Sequence, residues 1–160
     1  MPADVVALLD EDVAAAPPGP GGGGIAGTIL ALVNAERASG GQCGGNARSA
    51  VAPLALDPAL SKAAAVHAHD MASNNFFSHT GSDKSNPFKR IAAAGFSGGP
   101  QGENIAAGYP SAASVVAGWM SSPDHCNNIM NAGFDFLGAD HAFDASSAYG
   151  HYWVQTFGGS

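Results

Sequence analysis

Charge is what this sequence has least of. Only 12% of its 160 residues are Asp, Glu, Lys or Arg, about half the share of an ordinary soluble chain. Bases are scarcer than acids: six Lys and Arg against 13 Asp and Glu leave a formal net charge of −7. That balance argues against a nucleic-acid partner, which needs a basic face, and against electrostatic docking on anionic membranes. No apolar run approaches the roughly 18 residues of a membrane span. The start, MPADVVALLDEDVAAAPPGP, has no basic residues and its apolar stretch is interrupted by acids, so it does not read as a signal peptide. Neither of the two cysteines, Cys43 and Cys126, belongs to a CxxC, which argues against a zinc knuckle. Ser78 stands in no Gly-x-Ser-x-Gly elbow. The glycine-rich stretches 21–24 and 98–102 lack the lysine and strand–helix context of a phosphate loop.

What is present is a chain of ordinary hydrophobic content, 46%, with 22 glycines and many alanines. This length suits one domain with its own core. Residues 1–24 are acidic, then rich in Pro and Gly, and read as a disordered tail; the domain is expected over 25–160. Ile25, Ile29, Leu32 and Val33 recur at helical spacing, with Asn34, Glu36 and Arg37 toward the other face and Gly40-Gly41 as the stop. A loop follows through Cys43 to Val51. Asp57 caps a second helix with Pro58 at its first position, and Leu60, Ala64, His67 and Met71 form its apolar line. Asn86-Pro87 opens a short third helix, Phe88 and Ile91 inward, closed by Gly95. Ser111 caps a fourth, Pro123 breaks it, and one further helical turn carries Cys126. The rest reads as strands: Phe134, Phe136 and Gly138 alternate, and over 148–157 His151, Trp153, Gln155 and Phe157 alternate with Tyr152, Val154 and Thr156. Helices first and strands last indicate α+β with antiparallel pairing.

Three segments carry the chemistry: FFSHTG, QGENIA and YGHYWVQTFG, with His79, Glu103 and His151. Each polar residue stands among apolar, aromatic or glycine neighbours, so the expectation is that the three meet at one cleft. Two imidazoles and a carboxylate suit an open zinc-like site or a general base with an orienting partner; spacing alone does not choose. His67 and His69, two apart on a helix, point about 200° apart and do not make a metal pair. His67 reads as a core histidine, His125 as locally bonded, His141 as a surface loop residue. The two cysteines could be buried thiols or one bridge; their loop-like surroundings favour the bridge, worth roughly 4–5 kcal/mol for so long a loop.

Taken together, LVNAERA (32–38), PLALDPALSKAAAVHAHDM (53–71), NNFFSHTG (74–81), NPFKRIAAAGF (86–96), GENIAAG (102–108), VVAGWMSSPDHCNNIMN (115–131) and YGHYWVQTFG (149–158) resemble the CAP superfamily. Its members are cysteine-rich secretory proteins, venom allergens and plant pathogenesis-related class 1 proteins, and the shared unit is called the SCP domain. The short form here is closest to the secreted microbial type. The resemblance implies an α-β-α sandwich with a small, mainly antiparallel sheet between helical layers. It makes His79, Glu103 and His151 the cavity residues, and His79 and His151 the ligands of a divalent metal, zinc most often. The second cavity glutamate of plant and animal members has no counterpart here, because Met120, Ser121 and Ser122 follow Trp119. The cysteine pair falls where some short microbial members carry a disulfide. The resemblance also implies a secreted monomer that acts as a non-enzymatic binding module for a sterol, a fatty acid or a cell-surface partner. Two alternatives stand beside it. One is a metal-assisted hydrolase or protease with Glu103 as base. The other is a defence-related or structural cell-wall protein with a vestigial cleft.

Overall fold

The computed structural model describes the backbone of residues 5–6 and all of residues 24–160. The tail expected over 1–24 otherwise lies outside the described residues. In chain order the elements are β1 (Val5–Val6), α1 (Ile25–Ser39), β2 (Gly41–Cys43), β3 (Asn46–Arg48), β4 (Ala55–Leu56), α2 (Pro58–Asn74), α3 (Pro87–Ala94), β5 (Gln101–Ala107), α4 (Ala112–Met120), α5 (Pro123–Ile129), β6 (Phe136–Phe143) and β7 (His151–Gly158). Five strands form one sheet in the order β1-β5-β7-β6-β4. The central pairs β5–β7 and β7–β6 are antiparallel, and the two-residue strands at either edge pair parallel. Helical layers cover both faces: α2 and α3 on one, α1, α4 and α5 on the other. The expected α+β sandwich is what forms.

The helix starts follow from their caps. Asp57 accepts from the Leu60 amide at 3.0 Å ahead of Pro58, and Asn86 accepts from the Lys89 amide at 2.9 Å ahead of Pro87. Ser111 and Ser114 cap α4 reciprocally. Asn75 and Gly95 end α2 and α3 in the left-handed region, at φ 52 and 104. Period-two alternation then divides β7 between the layers. Tyr152 and Val154 pack on Ala64, Ala68 and Met71 of α2, while Trp153 and Phe157 join Ile29, Val33, Val115 and Trp119 of the other layer. The small side chains of α2 let it lie directly on the sheet. A Cβ on Gly138 would overlap the backbone at Leu60 and Ser61, and Thr156 Oγ1 donates to the Leu60 carbonyl at 2.6 Å.

Four local expectations are corrected. The loop expected through Cys43 contains the hairpin β2–β3 and is followed by β4, two short backbone pairings that side-chain pattern does not mark. Phe134 precedes β6 instead of starting it, and stacks on Phe157 with ring centroids 5.0 Å apart. His141 lies within β6, half-buried, rather than on a loop. Arg37 is not on the outer face of α1 but fully buried. Its guanidinium donates to the carbonyls of Ala52, Ile129, Asn131 and Phe134 at 2.8, 2.7, 3.0 and 3.5 Å, which satisfies a donor set that would otherwise make burial costly. Nearby, the disulfide forms: Cys43 and Cys126 have Cα atoms 5.3 Å apart and close a loop of sequence separation 83.

Candidate functional site

Glu103 sits on β5 with its side chain toward the α2–α3 layer, 2% exposed. Burying a carboxylate there requires partners, and it has two. Oε1 accepts from His79 Nδ1 at 2.8 Å, and Oε2 accepts from Arg90 Nη2 at 2.9 Å. Arg90 comes from the inward face of α3, beside buried Ile91. It also donates to the carbonyls of His79 at 2.8 Å and Ser85 at 3.0 Å, so it fixes the loop that carries His79. The His79 bond sets that imidazole with its Nδ1 proton toward the carboxylate. Beneath, fully buried His67 donates from Nε2 to the Ser78 carbonyl at 2.7 Å. Burial lowers the His67 pKa, with the Glu103 charge opposing the shift.

His79 and Glu103 open on a cavity of about 410 Å³, walled also by Asn86, Pro87, Phe88 and Asn128. Phe88 was expected to point inward. It is instead 55% exposed and forms part of that wall, because α3 has one buried stripe and Arg90 and Ile91 occupy it. Asn128 reaches the wall from α5 and donates to Asn104 Oδ1 at 2.8 Å. Asn104 in turn bonds buried Gln155 at 3.0 Å, which ties the cavity to the middle of the sheet.

His151 does not join this site. The β5–β7 register sets Glu103 opposite Thr156, five positions from His151, a separation of roughly 16 Å along the strand. Alternation also turns His151 to the opposite face of the sheet, with Trp153. There His151 Nδ1 and His141 Nε2 are 2.8 Å apart, one donating and the other accepting. The His141 ring lies tilted against Trp153 with centroids 4.1 Å apart, and Phe143 covers His151 at 4.7 Å. Burial lowers the His141 pKa to about 4, the His151 and His69 charges adding to the shift; burial also lowers that of His151. The two-histidine metal site expected of His79 and His151 therefore does not fit, because each ring nitrogen would have to lie about 2.0–2.1 Å from one ion. Among the described residues no group of three or more His, Cys, Asp and Glu is placed to hold a metal.

The sequence reading had Glu103 and His79 but missed Arg90, Asn128 and the outward Phe88. The clue to Arg90 was available: it is adjacent to Ile91 on a helix whose one apolar stripe faces the sheet. The remaining histidines fall as expected, with His67 in the core and His125 bonded locally to Ser122 Oγ at 2.8 Å.

Against known proteins, the model of the cysteine-rich secretory protein family matches residues 30–157. A Bacillus subtilis protein, YkwD, is 34% identical over 129 residues, 81% of this chain and 45% of the relative. The B. subtilis membrane protein YlbC is 30% identical over 110 residues, 69% of this chain and 29% of YlbC. The chain thus spans less than half the length of these two relatives. Among solved structures, an extracellular protein with an SCP domain from Bacillus anthracis superposes with a TM-score of 0.70 at 26% identity, over 85% of this chain and 40% of that one. An outer surface protein of Borrelia burgdorferi gives 0.65 at 23% identity, over 82% and 92%, a likeness of fold alone. No helix among the described residues is long and apolar enough to cross a membrane. Motifs, sandwich and family match agree, and the chain belongs to the cysteine-rich secretory protein family, as a CAP domain with bacterial extracellular-type relatives.

Proposed function

We propose that this domain is an extracellular, non-enzymatic binding module whose His79–Glu103 cleft takes a small lipid, a sterol or fatty acid, without needing a metal. The observation that carries the reading is the pairing of an apolar wall, Pro87 and Phe88, with a fixed polar cluster, His79–Glu103–Arg90, around one cavity of about 410 Å³. Such a cavity suits a ligand with one polar end and an apolar body. The metal-assisted hydrolase is less well supported. Its base would be Glu103, but both carboxylate oxygens are already engaged by His79 and Arg90, and the second imidazole is on the other face of the sheet.

The test is titration with a fluorescent sterol and a fluorescent fatty acid, with and without a zinc chelator. Saturable one-to-one binding of one probe, unchanged by chelator and weakened at least about tenfold by Phe88→Ser, is the expected result. No saturable binding of either probe, or binding indifferent to Phe88→Ser, would remove the lipid reading and leave a cell-surface partner or a vestigial cleft. Zinc-dependent turnover of peptide or ester substrates, lost in Glu103→Gln, would restore the hydrolase.

A further inference from the structure

A low count of bases conceals where they are. Four of the chain's six Lys and Arg residues, Lys62, Lys84, Lys89 and Arg90, line one groove of about 450 Å³ between α2 and α3. They include every lysine in the sequence. Among the described residues Asp83 is the only acid lining the groove. Its carboxylate is turned into its own loop, accepting from the Ser85 amide at 2.9 Å. Arg90 is spent on Glu103 and on loop carbonyls. The lysines are not spent. In a chain with 13 acids, none of the three ammonium groups has an ion pair among the described residues. The floor between them is apolar: Val66, 55% exposed, Ala93 and Ala94.

The geometry is set by the elements. Lys62 and Val66 are one turn apart on α2, and Lys89 and Ala93 one turn apart on α3, so each helix presents a cation beside an apolar contact. Lys84 comes from the connecting loop, which is fastened at both ends. Asp70 of α2 holds Ser82 through its amide at 2.8 Å and its hydroxyl at 2.6 Å, and Arg90 of α3 holds Ser85. Lys84 itself has φ 68, a conformation that glycine or asparagine adopts at less cost than lysine. A residue held at a backbone cost and left without a partner is a reason to look for a ligand.

We infer that the α2–α3 groove is a binding site for the phosphate of a single alkyl-phosphate amphiphile. The phosphate lies among Lys62, Lys84 and Lys89, and the first part of the chain lies on Val66, Ala93 and Ala94. A phosphate monoester carries close to two negative charges at neutral pH, which matches a cluster of three unpaired cations better than a single carboxylate does. The confined volume between two helices suits one ligand molecule rather than a bilayer surface. The groove shares only Arg90 with the polar cluster of the His79–Glu103 cleft; its three lysines lie outside that cleft, and the inference does not depend on the function proposed for it.

The experiment is chemical-shift mapping and calorimetry on the full chain with dodecyl phosphate below its micelle concentration. Dodecyl maltoside, inorganic phosphate and inorganic polyphosphate are run alongside. The expected result is saturable binding with perturbations at Val66, Ala93 and Ala94, weaker binding of inorganic phosphate, and none of the maltoside at this site. The variant Lys62→Gln/Lys84→Gly/Lys89→Gln should bind at least about tenfold more weakly. Lys84→Gly alone should be as stable as the parent or more so, because it relieves the positive φ, yet bind less. A second variant, Val66→Asn, should lose the advantage of dodecyl phosphate over inorganic phosphate. Four results would each overturn the inference: unchanged affinity in the triple variant; equal binding of the maltoside; perturbations at Phe88 and Asn128 instead of Val66; or inorganic polyphosphate binding with no gain from an alkyl chain, which would assign the lysines to an anionic polymer.

Discussion

Two buried arginines organise two regions of this molecule, and they are buried in different ways. Arg37, under α1, spends its donors on four backbone carbonyls and, among the described residues, meets no carboxylate within hydrogen-bond reach. Arg90, on α3, spends one donor on the Glu103 carboxylate and two on carbonyls of the loop that bears His79. The first arrangement joins the chain around Ala52 to the segment 129–134 and beside it lies the Cys43–Cys126 bridge; it is scaffold. The second holds an ionised pair at the wall of a cavity, where a bare apolar core would have been simpler. The way a buried cation is satisfied thus separates the part of the fold that holds shape from the part that presents chemistry.

The largest effects should fall on the scaffold side. Replacing both cysteines, Cys43→Ala/Cys126→Ala, is expected to cost about 4–5 kcal/mol, from the chain entropy of so long a loop. Arg37→Met should cost at least about 4 kcal/mol, because the four carbonyls it served lose their donor, each loss worth about 1–3 kcal/mol. Urea unfolding measures both. Cleft binding, assayed below the unfolding transition, should survive the loss of the disulfide.

Arg90→Met should also cost about 3–5 kcal/mol, by leaving Glu103 charged and buried without its partner. Here the two regions should part. Adding Glu103→Leu to Arg90→Met removes the stranded charge and is expected to restore most of the lost stability, whereas no second substitution of one residue can restore the carbonyls exposed by Arg37→Met. If the Arg90→Met/Glu103→Leu double variant is no more stable than Arg90→Met, the Glu103 pair is scaffold too and the distinction fails.

Much of this was legible in the sequence, and the exceptions share a cause. Caps at Asp57, Asn86 and Ser111 place helix starts because the capping bond is local. The β7 alternation divides His151, Trp153 and Phe157 from Tyr152 and Val154 because the period is a property of the strand itself. What pattern does not carry is register. That His151 and Glu103 fall roughly 16 Å apart depends on which β7 residue stands opposite Glu103, and Thr156 does. Two histidines and a glutamate in the right motifs looked like one cleft until pairing put them on different faces. Arg37 was misread for a related reason: a charged residue on a helix reads as outward unless the carbonyls that will receive it, here as far along the chain as Ile129 and Phe134, are known.

Titration sharpens the comparison further. His141 has a folded pKa of about 4 against an unfolded 6.5, and that of buried His67 is lowered as well. The unfolded chain therefore binds more protons between those values, so stability is fully present above pH 6.5 and declines as pH falls toward 4. The carboxylates held low by hydrogen bonds, Asp70, Asp83 and Asp144, contribute their loss only below about pH 3.8, so the windows separate. His141→Phe should flatten the decline between pH 6.5 and 4 in thermal unfolding while leaving the cleft unaltered. A decline of unchanged slope in that variant would return the effect to the other two histidines whose pKa burial lowers, His151 beside it and His67 on the Glu103 side.

The smallest stability effect belongs to the residue on which cleft binding most depends. Phe88 and Phe143 are both largely exposed, 55% and 59%, and they stand in different regions. Phe88 walls the cavity beside Glu103, while Phe143 covers His151 on the other face. Replacing an exposed side chain by serine should change stability by no more than about 0.5 kcal/mol in either case. Lipid-probe affinity should respond unequally: Phe88→Ser weakens it at least about tenfold, and Phe143→Ser leaves it unchanged. Equal losses in both variants would mean that the probe reads general surface hydrophobicity. A loss confined to Phe143→Ser would move the binding site to the histidine pair, and the region that holds an ionised pair in its wall would no longer be the region that binds.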